Sequence, residues 1–169
     1  MDAVAENREE TIFALSSGAG AAGLAVVRIS GPETDAILTR LGISPLPEPR
    51  LAFLHNILCP RTKDLLDRGL VLRFPGPQSF TGEDVAELHI HGGEAVLAAV
   101  FAALRATGVA RMADHGEFTR RAFENGKLDL TAAEAIGDLV AARTDEQRKL
   151  ALRQYDGGLA DLMKAGARR

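Results

Sequence analysis

The sequence predicts an α+β fold, in which a mixed β-sheet is followed by the start of a helical region. Runs rich in β-branched residues are mixed with runs of helical periodicity over about the first 120 residues, and only helical patterns follow. The chain has 169 residues, of which 46% are hydrophobic. That is enough for one compact core with an appendage.

The first two predicted strands lie on either side of a loop of small residues. They are residues 11–15 and 24–30, and the loop between them reads S-S-G-A-G-A-A-G. Pro32 fits a first helical turn, and apolar residues at helical spacing continue from there to Gly42, which ends the helix.

Three further strands and a helix are predicted next. The strands are residues 52–58, 69–74 and 84–91. From Glu94 onward apolar residues recur at helical spacing, and Gly108 supplies the stop. Alternation in the third strand separates two sets of side chains, which are Ala86, Leu88 and Ile90 on one face and Val85, Glu87, His89 and His91 on the other.

The rest of the chain is predicted to be helical after one short strand, residues 110–114. A short, highly charged helix ends at Gly126. The string T-A-A-E, residues 131–134, matches a capping box. It predicts a helix that buries three apolar side chains, namely Ile136, Leu139 and Val140.

The segment from Arg143 onward differs from the rest in charge and in apolar content. It contains seven Lys or Arg and four Asp or Glu, whereas the whole chain has a net charge of −3. A solvated helix face is favoured over phosphate binding for these charges. The apolar stripe thins and is interrupted at Gly157 and Gly158, which favours packing against a partner surface.

Composition argues against export and against a membrane span. The longest apolar run, residues 95–104, is ten residues long, whereas a span needs roughly 18. The first ten residues lack the basic-then-apolar order of a secretory signal. A single cysteine, Cys59, fits a reducing compartment. A soluble, cytoplasmic protein is expected.

The glycine loop satisfies the pattern G-x-G-x-x-G at Gly18, Gly20 and Gly23. A dinucleotide site needs such a loop to open a helix, but this one leads into a predicted strand. Leu24 and Ala25 stand where a nucleoside-triphosphate loop needs Lys and Ser or Thr. Nucleotide binding at this loop is therefore disfavoured.

A metal site is a second hypothesis, because Glu87, His89 and His91 share one strand face. The other histidines, His55 and His115, lie in separate segments, and no acidic cluster stands out to complete the coordination shell. Structural support is the favoured interpretation of both strand histidines.

The sequence pattern by itself does not decide the role of three charged residues. Arg28 interrupts an apolar strand, where it is either a water-exposed edge position or a group that binds an anion. Glu87 is placed similarly between Ala86 and Leu88, and Lys127 follows a helix that ends in glycine.

Three long strings together resemble the N-terminal region of the MnmE (TrmE) family of tRNA-modification GTPases. They are A-V-V-R-I-S-G-P at 25–32, L-R-F-P-G-P-Q-S-F-T-G-E-D-V-A-E-L-H-I-H-G-G at 72–93 and G-E-F-T-R-R-A-F-E-N-G-K-L-D-L-T-A-A-E-A-I at 116–136. Their order and spacing match the family over residues 11–142. The resemblance implies an aminomethyltransferase-like folate-binding and dimerisation domain over 1–125, then the first helices of a helical domain over 126–169.

The resemblance also implies a ligand and three residues that bind it. The family's folate-binding positions fall on Arg28, Glu87 and Lys127, and the implied cofactor is 5-formyltetrahydrofolate or a related reduced folate. A carboxylate suits the amino-pyrimidine edge of a pterin, and cations suit the glutamyl tail or a carbonyl. No catalytic residue and no metal ligand are implied in this chain.

The implied function is that of the family protein. It forms a homodimer, hydrolyses GTP with magnesium and potassium, and works with the FAD-dependent protein MnmG on the wobble uridine of tRNA, using a one-carbon unit from tetrahydrofolate. The G-x-x-x-x-G-K-[ST] string of a GTPase domain is absent, so this chain alone is expected not to hydrolyse GTP. The alternatives are a stand-alone aminomethyltransferase-like folate enzyme and a structural dimerisation domain whose pocket has decayed.

Overall fold

The computed structural model describes the backbone of residues 10–166 and the side chains of residues 10–157. This part of the chain forms two compact units. The first comprises residues 10–79 and 83–115, and the second comprises 80–82 and 116–166.

The first unit is built around a six-stranded mixed sheet with the strand order β3-β4-β5-β2-β1-β6. Only β1 and β6 pair in parallel, and the other neighbours are antiparallel. Two helices belong to the same unit, and the predicted α+β class is confirmed. The elements in chain order are β1 (Thr11–Leu15), β2 (Ala22–Ser30), α1 (Thr34–Arg40), β3 (Phe53–Leu58), β4 (Leu65–Phe74), β5 (Val85–Gly92), α2 (Glu94–Ala106) and β6 (Ala110–Met112).

One face of this sheet forms the core with α1 and α2. The predicted alternation in β5 is confirmed, because Ala86, Leu88 and Ile90 are buried in this core. Phe13 on β1 meets Phe101 on α2 edge to face, with ring centroids 5.5 Å apart. Other buried members come from both helices and from the neighbouring strands, including Val27, Ile29, Ile37, Leu38, Val71, Val100 and Leu104.

Strand β4 begins at Leu65, four residues before the predicted start at position 69. The charged residues before position 69 were left out of the predicted strand. They fit in β4 because their side chains form hydrogen bonds with neighbouring strands. Arg68 donates to the side chain of Asn56 on β3 at 2.9 Å, and Asp67 accepts from the backbone N–H of His91 on β5 at 2.8 Å.

The second unit contains three helices, α3 (Glu117–Glu124), α4 (Leu130–Ala141) and α5 (Asp145–Gly166). Its small core consists of Ala122, Leu128 and Ala132, with the half-buried Phe80, Ile136 and Tyr155 packed against them. The segment 80–82 therefore belongs to this unit. Its Thr81 carbonyl accepts a hydrogen bond from the Asn125 side chain at 2.7 Å.

The predicted capping box at residues 131–134 is wrong. Asp129 is the N-cap of α4, and its carboxylate accepts from the backbone N–H of Ala132 at 2.7 Å. Aspartate caps as well as threonine does, so the helix begins two residues earlier than the T-A-A-E pattern implies. Of the three side chains predicted to face inward, Ile136 and Leu139 are half-buried, whereas Val140 is 84% exposed.

Helix α5 continues through Gly157 and Gly158. Its Leu150 is exposed, Leu152 is half-buried and Ala151 is buried. The glycine pair thus interrupts the apolar stripe in the sequence without ending the helix.

Replacing Gly69 is expected to destabilise the sheet. A Cβ at this position would lie 2.3 Å from the carbonyl oxygen of His89, so β4 and β5 would have to separate locally. We expect Gly69→Ala to lower the free energy of unfolding by about 1–3 kcal/mol in urea titrations followed by circular dichroism.

Gly23→Ala is the matched control, since it makes the same change in β2 where nothing lies within 4 Å of the added carbon. It should unfold like the wild type. Equal stability of the two variants would contradict the close approach of β4 to β5.

Candidate functional site

Arg28 and Glu87 lie directly opposite each other on β2 and β5. Both strands are central in the sheet, and the alternation that buries Val27 and Leu88 directs Arg28 and Glu87 to the opposite face. We call this the second face of the sheet. The water-exposed edge position considered for Arg28 is excluded, because β2 has a strand on each side.

The Glu87 carboxylate has a different partner at each oxygen. Arg28 donates to Oε1 from Nε at 3.1 Å and from Nη2 at 2.8 Å. His89 Nε2 lies 3.1 Å from Oε2. The side chains of Arg28, Glu87 and His89 are 23%, 17% and 24% exposed, so each remains accessible to a ligand. We call these three residues the Arg28–Glu87–His89 cluster.

The electrostatics of the cluster favour an ionised Glu87. Burial alone would raise the pKa of Glu87, but the hydrogen bonds from Arg28 and His89 and the nearby positive charge hold the pKa below its ordinary value of 4.5. At neutral pH the carboxylate is therefore charged and only accepts hydrogen bonds.

Apolar side chains flank the cluster on the second face. Leu72 lies opposite Glu87, while Leu70 and Val26 lie opposite His89 on its two sides. Leu70 is exposed, and Val26 and Leu72 are half-buried. The surface thus combines fixed charges with apolar contact area, as is typical of sites for small organic ligands.

Lys127, the third predicted site residue, belongs to the second unit. It follows α3 after Asn125 and Gly126, and its backbone N–H donates to the Ala122 carbonyl at 2.8 Å. Its side chain passes close to Gly82, where an added Cβ would lie 3.3 Å from Lys127 Cγ. The structure brings Arg28 and Glu87 together within the first unit, and a shared role for Lys127 stays a prediction.

The second strand histidine has its own carboxylate partner. His91 Nδ1 lies 2.8 Å from Asp67 Oδ1. Burial would raise the pKa of Asp67, but hydrogen bonds from the backbone and ring of His91 lower it. Within the described part of the chain, no group of three or more His, Cys, Asp or Glu side chains is placed to hold a metal ion.

The sequence did not predict that His89 contacts Glu87 or that Asp67 contacts His91. His89 was predicted to share a face with Glu87, and that spacing was the available signal for their contact. Asp67 had no comparable signal, because it lay in the charged segment between the predicted strands 52–58 and 69–74.

The glycine loop joins β1 to β2, which pair as antiparallel neighbours. It leads into a strand, as predicted, rather than into a helix that could hold a pyrophosphate. Among residues 10–166, no helix is long and apolar enough to cross a membrane.

Comparison with known proteins places the chain in a family. The family model described as the GTP-binding protein TrmE N-terminus matches residues 11–127. Since this match covers more than half of the chain, the protein belongs to the TrmE (MnmE) family and corresponds to its N-terminal region.

Individual relatives agree with this assignment. The chain is 57% identical over 151 residues to the mitochondrial 5-taurinomethyluridine-[tRNA] synthase subunit GTPB3 of Danio rerio, covering 89% of the chain and 30% of the relative. It is 54% identical over 160 residues to the tRNA modification GTPase MnmE of Rhizobium meliloti (strain 1021), covering 95% and 36%. Human mitochondrial GTPB3 is 54% identical over 159 residues, covering 93% and 32%. The chain thus spans about one third of these relatives.

The lowered pKa of Glu87 makes part of the stability pH-dependent. Because the folded-state pKa lies below the unfolded value, this contribution is present above the unfolded value and is lost as pH falls through the folded value. The free energy of unfolding should therefore fall more between about pH 7 and about pH 3 in the wild type than in Glu87→Gln.

Urea titrations at both pH values measure this difference. Asp67, whose pKa is also lowered, is present in both proteins, so its contribution cancels. Parallel pH profiles for the two proteins would show that Glu87 is not held in its ionised form by the fold.

Proposed function

We propose that this chain is the folate-binding, dimer-forming part of a tRNA-modification GTPase. The observation that carries the proposal is the Arg28–Glu87–His89 cluster, an ionised carboxylate held at both oxygens on an accessible, partly apolar surface.

A reduced folate fits the chemistry of this surface. Its amino-pyrimidine edge presents N–H groups that can donate hydrogen bonds to an ionised Glu87. Its ring system offers flat apolar area for contact with side chains such as Leu70 and Val26. Arg28, and Lys127 through its family position, supply positive charge for a carbonyl or for the glutamyl tail. The proposed cofactor is 5-formyltetrahydrofolate or a related reduced folate.

The larger reaction belongs to the whole family protein. Its relatives are named as tRNA modification GTPases, so GTP hydrolysis with magnesium and potassium is proposed for a GTPase domain outside this sequence. In the proposed reaction the folate supplies a one-carbon unit, MnmG supplies the flavin chemistry, and the target is the wobble uridine of tRNA. The proposed compartment is the cytoplasm, where Cys59 would remain reduced.

Folate binding to the chain tests the central part of this proposal. Titration calorimetry with 5-formyltetrahydrofolate should show saturable binding to the wild type. Glu87→Ala should weaken it about tenfold to a hundredfold, because a charge-assisted hydrogen bond contributes roughly 1.5–3 kcal/mol. His89→Ala should lower the affinity for 5-formyltetrahydrofolate less than Glu87→Ala does.

Asp67→Ala is the matched control, since it removes another histidine-paired carboxylate with a lowered pKa from the same sheet. It should bind folate like the wild type, with folding of each variant checked by circular dichroism. No binding to a folded wild type would favour a structural dimerisation domain with a decayed pocket.

Self-association is the second part of the proposal. The exposed Leu150 lies on α5 together with the half-buried Leu152, while Leu159, Leu162 and Met163 lie beyond the described side chains. Exposed apolar side chains on one helix are typical of a contact surface. We expect a dimer at micromolar concentration in sedimentation velocity, and weaker association for Leu150→Gln. A strict monomer at high concentration would contradict this proposal.

A further inference from the structure

A carboxylate that recognises a ligand must be fixed in orientation as well as in position. The terminal torsion of a glutamate side chain is soft, with a broad distribution of angles. In this site the two donors of Arg28 described above both reach Oε1. Contacts to one oxygen hold that atom, but coupled changes in the side-chain torsions of Glu87 would still let the carboxylate pivot about it. The placement of Oε2 therefore depends on a further contact.

His89 provides that contact, with its Nε2 3.1 Å from Oε2. Because Glu87 is ionised and only accepts hydrogen bonds, Nε2 must carry the hydrogen. We propose that His89 is a positioning residue that sets the plane of the Glu87 carboxylate for the donors of a bound amino-pyrimidine ring. The inference rests on the proposed function, since it concerns the same ligand.

The sheet holds His89 firmly enough for this role. Its side chain lies between its cross-strand neighbours Leu70 and Val26. Its backbone is fixed by the close approach of β4 at Gly69, which a Cβ would prevent. The extended strand places His89 two residues from Glu87 on the same face, so the ring reaches the carboxylate without a change of backbone.

The role can be separated from simple packing by comparing two substitutions. His89→Leu keeps the apolar bulk and removes the N–H donor, whereas His89→Gln keeps a donor. Loss of orientation weakens the ligand's hydrogen bond to Glu87 without removing it, and a change of roughly 0.5–1.5 kcal/mol corresponds to about twofold to tenfold in affinity. We expect His89→Leu to weaken binding of 5-formyltetrahydrofolate by this factor and His89→Gln to restore most of it.

The decisive measurement is discrimination between two ligands. A folate analogue with methyl in place of the 2-amino group lacks that group's N–H donor and keeps the neighbouring ring N–H, so it loses one of the hydrogen bonds that Glu87 can accept. The wild type and His89→Gln should prefer the amino compound by a clear margin, and His89→Leu should lose part of that preference. If His89 has a purely structural role, His89→Leu should bind both ligands more weakly by the same factor and leave the preference unchanged. That result would overturn the inference.

A ligand-free measurement distinguishes failure of this inference from failure of the proposed function. Nitrogen-15 NMR of the histidine rings should show His89 with its hydrogen on Nε2 in the wild type, and a changed ring signature in Glu87→Ala, which removes the acceptor. If the wild type binds no folate, the proposed function fails, and the ligand role of His89 fails with it. If folate binds but the His89 signature is the same in both proteins, the positioning role alone is overturned.

Discussion

The pairing of β2 with β5 is the constraint on which the first unit and its candidate site depend. These strands lie at the centre of the sheet and pair so that Arg28 faces Glu87. Side chains alternate along a strand, so a slip of β2 by one residue would send Arg28 into the core and bring Val27 out of it. The core and the charged cluster thus require the same register, and each stabilises the arrangement needed by the other.

The energetic value of the cluster lies in its organisation more than in its contribution to stability. Partial burial of Glu87 opposes its charge, and the contacts with Arg28 and His89 offset that desolvation. A pair of this kind contributes little net folding energy. The pair instead presents the Glu87 carboxylate already partly desolvated and oriented before a ligand binds. Preorganisation of this kind strengthens binding by lowering the free energy needed to order the site.

The sequence predicted the sheet better than it predicted the contacts within it. Alternation in β5 identified the buried face correctly, because Ala86, Leu88 and Ile90 have no polar atoms that compete for another arrangement. The start of β4 was missed because partners of Asp67 and Arg68 come from other strands, which local sequence does not reveal. Asp129 was overlooked as a cap because a more complete capping pattern followed it. Arg28 and Glu87 became candidates as a pair only through resemblance to a family, since their pairing depends on strand register.

The segment Phe80–Gly82 has a consequence for the order in which the protein forms during synthesis. Phe80 packs against Ala122, Leu128 and Ala132, all of which come much later in the chain. At about 5–20 residues per second, the ribosome needs on the order of seconds to make the intervening chain. During that interval the ribosome makes β5, α2 and β6, and the residues against which Phe80 packs have not yet been synthesised. The core of the second unit can therefore form only after all six strands of the first unit have been synthesised.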